Sequence, residues 1–127
     1  MSTHDEVLQA IRAFGLAYPG AHTKSPWPDH LDLAVNDKTF AYLPPTIGPG
    51  EGFRISCKLP RSAMDALALP FVGPAGYGLH KSGWIEARFG PDDALPVALI
   101  RSWVDESYRA QALKRQIKQL DASGHGP

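Results

Sequence analysis

Apolar residues near the start of the chain recur at helical spacing, with Val7, Leu8, Ile11 and Phe14 on one face. Thr3 stands three residues before Glu6, a capping-box arrangement, so a helix is predicted from about His4 to Ala17. Tyr18-Pro19-Gly20 ends it, because proline disfavours helical geometry at the residue before it and glycine permits a sharp exit. A short extended stretch follows, then a loop in which Ser25-Pro26-Trp27-Pro28 holds an indole between two prolines and presents it at low entropic cost.

From His30 to Val35 the period changes to two. Leu31, Leu33 and Val35 point one way, while His30, Asp32 and Ala34 point the other. Asn36-Asp37 predicts a tight turn into Lys38–Leu43, giving a hairpin. Pro44–Gly52 has no periodicity and reads as a loop. Arg54–Leu59 alternates again, with Ile55, Cys57 and Leu59 against Arg54, Ser56 and Lys58. Pro60 is expected to start a second helix with Met64, Leu67 and Leu69 facing inward, stopped by Pro70. After the glycine-rich Gly73–Gly78, Ser82-Gly83 has the character of a hairpin tip. Trp84–Phe89 is the last predicted strand, alternating Ile85, Ala87 and Phe89 with Trp84, Glu86 and Arg88. A long C-terminal helix is expected from Asp92 or Asp93, burying Leu95, Leu99, Ile100 and Trp103, with Leu113, Ile117 and Leu120 continuing its stripe.

Three alternating strands imply an antiparallel sheet covered on one side only, and the terminal helices can supply the cover. The expected fold class is therefore α+β, a two-layer sandwich whose second sheet face stays open to water. That face is predicted to carry Arg54, Ser56, Lys58, Trp84, Glu86 and Arg88, with His80 and Lys81 at the adjoining tip.

Length and composition narrow the picture. With 127 residues, 43% of them hydrophobic, the chain is expected to form one domain over residues 1–122, with a disordered tail from Ser123. No apolar run reaches the ~20 residues that span a bilayer, and His4, Asp5 and Glu6 stand where a signal peptide would place positive charge, so a soluble cytoplasmic protein is expected, without membrane partners. Thirteen Lys+Arg balance thirteen Asp+Glu, but unevenly: residues 1–53 hold three and six (net −3), residues 54–127 hold ten and seven (net +3). A local excess of this size is compatible with phosphate contacts and is well short of a dedicated polyanion-binding surface.

Candidate catalytic chemistry is sparse. Cys57, the sole cysteine, falls on an inward strand position and reads as a small buried hydrophobe rather than a nucleophile paired with His80. His22 and His30 with Asp29 and Asp32 offer ligand types but no metal-site spacing, and no metal or other cofactor is expected. Of Asp105-Glu106-Ser107-Tyr108, the last two are expected to hold the helix to the sheet, and Trp103 to lie in the core. No nucleophile elbow, phosphate-binding loop or zinc-protease motif occurs, so a non-enzymatic protein is expected.

Tyr18-Pro19-Gly20, Pro26-Trp27-Pro28, Lys38-Thr39-Phe40-Ala41, Ile55-Ser56-Cys57-Lys58-Leu59, Tyr77 through Lys81 to Trp84-Ile85, and Trp103-Val104-Asp105-Glu106-Ser107-Tyr108 occur in the order and spacing of one family. From about Val7 to Arg109 the chain resembles the MmcQ/YjbR family of small bacterial proteins. The resemblance implies a fold like that of bacterial frataxin (CyaY-like) and DNA binding through paired, wing-like hairpins, here His30–Leu43 and Tyr77–Phe89. Phosphate contacts are then expected from Lys38, Arg54, Lys58, Lys81 and Arg88, beside His80 and Trp84, in a monomer that reads few bases. The rival expectation is a small-molecule or protein-binding module with a pocket near Trp27, His80 and Trp84. Frataxin's iron chemistry is not implied, since the first helix offers only Asp5 and Glu6 where an acidic ridge would be needed.

Overall fold

A computed structural model describes residues 3–127. Its elements run α1 (His4–Leu16), β1 (Ala21–Lys24), β2 (Asp32–Val35), β3 (Lys38–Ala41), β4 (Phe53–Lys58), α2 (Ala63–Leu67), β5 (Val72–Pro74), β6 (Trp84–Phe89), α3 (Val97–Gln111) and α4 (Lys114–Ser123), with a 3-10 turn at Leu79–Ser82. The predicted capping box forms: Thr3 Oγ1 accepts from the Glu6 amide at 3.1 Å, and the Glu6 carboxylate accepts from the Thr3 amide at 3.2 Å.

The strands make two antiparallel three-stranded sheets, ordered β1-β2-β3 and β4-β6-β5. Reciprocal backbone bonds between Tyr42 and Ser56, 3.0 and 3.2 Å, join them edge to edge. Asn36 (φ 53°) and Asp37 (φ 60°) close the β2–β3 hairpin, both in the left-handed region that a tight hairpin turn demands and that asparagine and aspartate tolerate. At the start of β4, a Cβ on Gly52 would fall 2.3 Å from the Phe89 carbonyl oxygen, so only glycine allows β4 this close to the end of β6.

The helices cover one face. Register pairs Phe53 with Phe89, Ile55 with Ala87 and Cys57 with Ile85, and all six side chains are buried in a core shared with Leu8 and Ile11 of α1 and Ile100, Trp103, Val104 and Tyr108 of α3. Ser107 Oγ accepts the Lys58 amide at 2.9 Å, the helix-to-sheet role expected of it, while Tyr108 sets its ring 5.4 Å from that of Phe40 on β3 and donates to the Pro19 carbonyl, in the turn before β1, at 2.6 Å. The α+β sandwich follows from the alternation: each strand spends one side on this core.

Several boundaries differ from the sequence reading. The C-terminal helix begins at Val97 rather than at Asp92 or Asp93, because Asp93 Oδ2 accepts the Gly90 amide at 2.6 Å and caps a turn instead; Pro96 then sits just ahead of the helix, where its missing N–H costs nothing. The long stripe is two helices. Ala112 and Leu113 are extended (ψ 156° and 155°), and Gln116 Oε1 accepts the Leu113 amide at 2.8 Å to start α4 afresh. The second helix starts at Ala63, not Pro60, and its five residues turn Ala66 inward while Met64 and Leu67 are exposed, contrary to the expected inner face. Past α4, the His125 ring lies 4.8 Å from that of Phe14 and its Nε2 is 2.9 Å from the Phe14 carbonyl oxygen. Among the described residues no helix is long and apolar enough to cross a membrane.

Candidate functional site

The uncovered side of the β4–β6 pair is built by the same register that builds the core. Arg54 stands opposite Arg88, Ser56 opposite Glu86, and Lys58 opposite Trp84. Arg54 and Arg88 are exposed and Lys58 is half-buried. Two guanidinium groups directly across an antiparallel pair repel one another. The Glu86 carboxylate takes up part of that charge through Arg88 Nε at 2.5 Å, an exposed contact of small energetic worth. Arg54 has no carboxylate partner among the described residues. His80 and Lys81 are exposed on the 3-10 turn that leads into β6, so they flank the same strands.

Two expected members do not belong to this surface as imagined. Trp84, predicted to be an exposed indole, is only 5% exposed. It points to the uncovered side, but the Tyr42 ring packs against it with centroids 5.1 Å apart, over a strand where Ser56 is small and itself buried. Lys38 is exposed at the far hairpin, in register with Val35, a core residue, and so lies apart from the β4–β6 cations. The hairpins are not free wings either. The tip of the first is tied to α4, since Asn36 Nδ2 donates to Gln116 Oε1 at 2.7 Å and Gln116 Nε2 donates back to Asn36 Oδ1 at 3.2 Å. The second has β5 as its partner strand, so Tyr77 through Ser82 form a wide connection rather than an ascending limb.

The sequence did not single out an aromatic file that continues from Trp84. Tyr42 lies 6.1 Å from His30, and His30 lies 5.0 Å from Trp27, ring centroid to ring centroid. Trp27 ends the file in solvent, 56% exposed. Its loop is stiff: the His30 amide donates to the Trp27 carbonyl at 3.0 Å, and Ser25 Oγ donates to the Trp27 and His30 carbonyls at 3.3 and 2.9 Å. Beneath it, the fully buried Asp32 accepts from the Leu43 amide at 2.8 Å and meets His30 Nδ1 at 3.0 Å through the same Oδ1, leaving Oδ2 unpartnered. Burial, then the nearby Asp32 charge, raises the Tyr42 hydroxyl above its ordinary pKa. The available signal was His30 and Asp32 two apart on one strand face, with Tyr42 on the neighbouring strand.

Two surface depressions lie away from the aromatic file. One, about 350 Å³, has Arg54 and Arg88 in its wall beside Glu51; the other, about 410 Å³, lies between α2 and α3 over Glu106. Neither is lined by Trp27, His80 or Trp84. Glu106 is structural: it accepts from the Arg61 and Ser62 amides at 2.9 and 3.1 Å and from Ser62 Oγ at 2.6 Å, holding the approach to α2. Cys57 is sealed in the core, and burial pushes its thiol far above the ordinary range. Among the described residues no three His, Cys, Asp or Glu side chains gather as a metal would require.

Comparison with known proteins agrees with this architecture. A Deinococcus radiodurans protein whose domain is designated DUF419 superposes with a TM-score of 0.66 at 22% identity, covering 95% of this chain and 92% of that one. A Pseudomonas syringae protein superposes with a TM-score of 0.60 at 23% identity, covering 82% of this chain and 97% of that one. At these identities the likeness is one of fold. No curated protein matches. The YjbR family profile matches residues 16–110, which take in every strand, α2 and nearly all of α3: the chain belongs to the YjbR family.

Proposed function

We propose that this protein is a binding protein rather than an enzyme, and that the uncovered β4–β6 face receives the phosphate backbone of a nucleic acid. The observation that carries the reading is Arg54 facing Arg88 across the strands, with Lys58 four residues along on the same face. An isolated sheet gains nothing from like charges in register. A polyanion laid across them converts the repulsion into attraction and releases its own counterions. Lys81, on the turn just before the start of β6, extends the cationic track beyond Lys58.

The surface suits backbone contacts better than base reading. The cations sit on a pleated sheet with no helix or free ribbon projecting to enter a groove, and phosphate contacts fix position without carrying sequence information. Catalysis has little support, since the sole thiol is sealed and its protonated form is favoured by burial.

A fluorescence titration of a labelled DNA duplex at low salt tests the reading. Wild-type protein is expected to bind, and Arg54→Ala, Lys58→Ala and Lys81→Ala each to bind more weakly on any sequence. Undetectable binding at low salt, or binding that all three variants leave unchanged, overturns it.

A further inference from the structure

We propose that the nucleic acid taken by this face is single-stranded, with a base stacked on the Trp27 indole while its backbone follows Arg54, Arg88 and Lys58. The inference rests on the phosphate-binding reading above and goes beyond it, because it assigns a role to the aromatic file.

Register places His30 in the same end-row of the sheet as Arg54 and Arg88, with Tyr42 one row further in and Trp84, opposite Lys58, two. Leu33 pairs with Ala41 and the Leu31 amide donates to the Leu43 carbonyl, which sets Asp32 beside Tyr42; Tyr42 pairs with Ser56 and Ser56 with Glu86, so His30, two residues before Asp32, falls in line with Arg54, two before Ser56, and Arg88, two after Glu86. Side chains two residues apart share a face, and neighbouring strands are about 4.8 Å apart, so His30 lies within about 15 Å of both guanidinium-bearing strands. Trp27 covers His30 edge-on and is the exposed end of the row.

The platform is already rigid. Two prolines flank Trp27, three hydrogen bonds tie its loop, and the buried Asp32 carboxylate fixes the imidazole beneath it. A large aromatic group held in place loses little entropy when a flat ligand covers it. Aromatic rings interleaved with cations are the arrangement that single strands recognise, each base stacking and each phosphate meeting a positive charge. A duplex offers the phosphates but keeps its base faces in its own stack, so it can use Arg54 and Arg88 and cannot use Trp27.

Intrinsic fluorescence reads this directly. Trp84 and Trp103 are buried, so quenching on ligand addition reports chiefly on Trp27. At one low salt concentration, a short oligothymidylate is expected to quench the emission and to bind about ten-fold or more tightly than a duplex of equal length. Trp27→Ala should bring the single strand down to the duplex affinity and leave the duplex unchanged, and Trp27→Phe should keep part of the preference. A duplex bound as tightly as the single strand, or Trp27→Ala weakening both alike or neither, overturns the inference and leaves the phosphate reading standing. Absence of binding to either ligand overturns both.

Discussion

The Tyr42 ring and the Trp84 indole meet with centroids 5.1 Å apart, reaching over β4 from strands on either side of it, across the small side chain of Ser56. An outward-pointing tryptophan is thereby made part of the packed structure. Trp84→Ala is expected to lower stability by about 3–5 kcal/mol, as truncation of a buried aromatic does. Urea unfolding monitored by circular dichroism checks this, and a loss below about 1 kcal/mol would show that the indole is not packed as described.

Arg54 and Arg88 make the opposite prediction. Arg54→Glu replaces a like-charge pair with a cross-strand attraction, so stability should hold or rise by about 0.2–1 kcal/mol. Nucleic-acid binding should fall in the same variant. Measuring both quantities on one preparation separates a binding defect from a folding defect, and a destabilised Arg54→Glu would mean that Arg54 has a structural partner.

Glu106 tests the brace between α3 and the approach to α2. Glu106→Ala orphans the Arg61 and Ser62 amides and should cost about 2–3 kcal/mol. Glu106→Gln keeps an acceptor and should cost less. Equal losses in the two variants would argue against the amide contacts as the source of the effect.

Alkaline pH should destabilise the fold. Burial raises the hydroxyls of Tyr18, Tyr42 and Tyr108 and the thiol of Cys57, and for Tyr18 the hydrogen bond to Asp105 at 2.8 Å adds to the rise. In the unfolded chain these groups ionise near pH 8.5–10, roughly their ordinary values. Each raised folded value therefore contributes stability that is complete below that range and is lost as pH climbs toward the folded pKa. The urea midpoint should be flat from about pH 7 to 8 and drop by about pH 10.5. Tyr18→Phe should lessen the drop, while a midpoint unchanged at high pH would contradict the burial of these groups.

Local signals and tertiary outcomes were not equally legible in the chain. The Thr3–Glu6 cap, the Asn36-Asp37 turn and the alternation in β2, β4 and β6 depend on neighbours in sequence, and each appears where those residues put it. The burial of Trp84 is hidden because alternation reports which side a residue faces and not what packs there; Tyr42, just past the end of β3, arrives from forty-two positions away in sequence. The break at Ala112–Leu113 was hidden for a related reason. The apolar stripe runs on through it, and the interruption is fixed by Gln116 reaching both the Leu113 amide and Asn36 in the distant hairpin. The cations of the uncovered face were legible, since Arg54, Lys58 and Arg88 follow from alternation alone. The file from Trp27 through His30 to Tyr42 was not, because it depends on the pairing of strands that the sequence does not specify.

The proposed phosphate-binding track of Arg54, Lys58, Lys81 and Arg88 is read out by the salt dependence of nucleic-acid affinity. Four phosphate contacts predict a slope of about −3 to −4 for log K against log salt, or roughly a hundred-fold loss between about 50 and 200 mM. Arg54→Ala should reduce that slope by about one. An affinity that does not change with salt, or a slope that Arg54→Ala and Lys81→Ala both leave intact, would contradict the account.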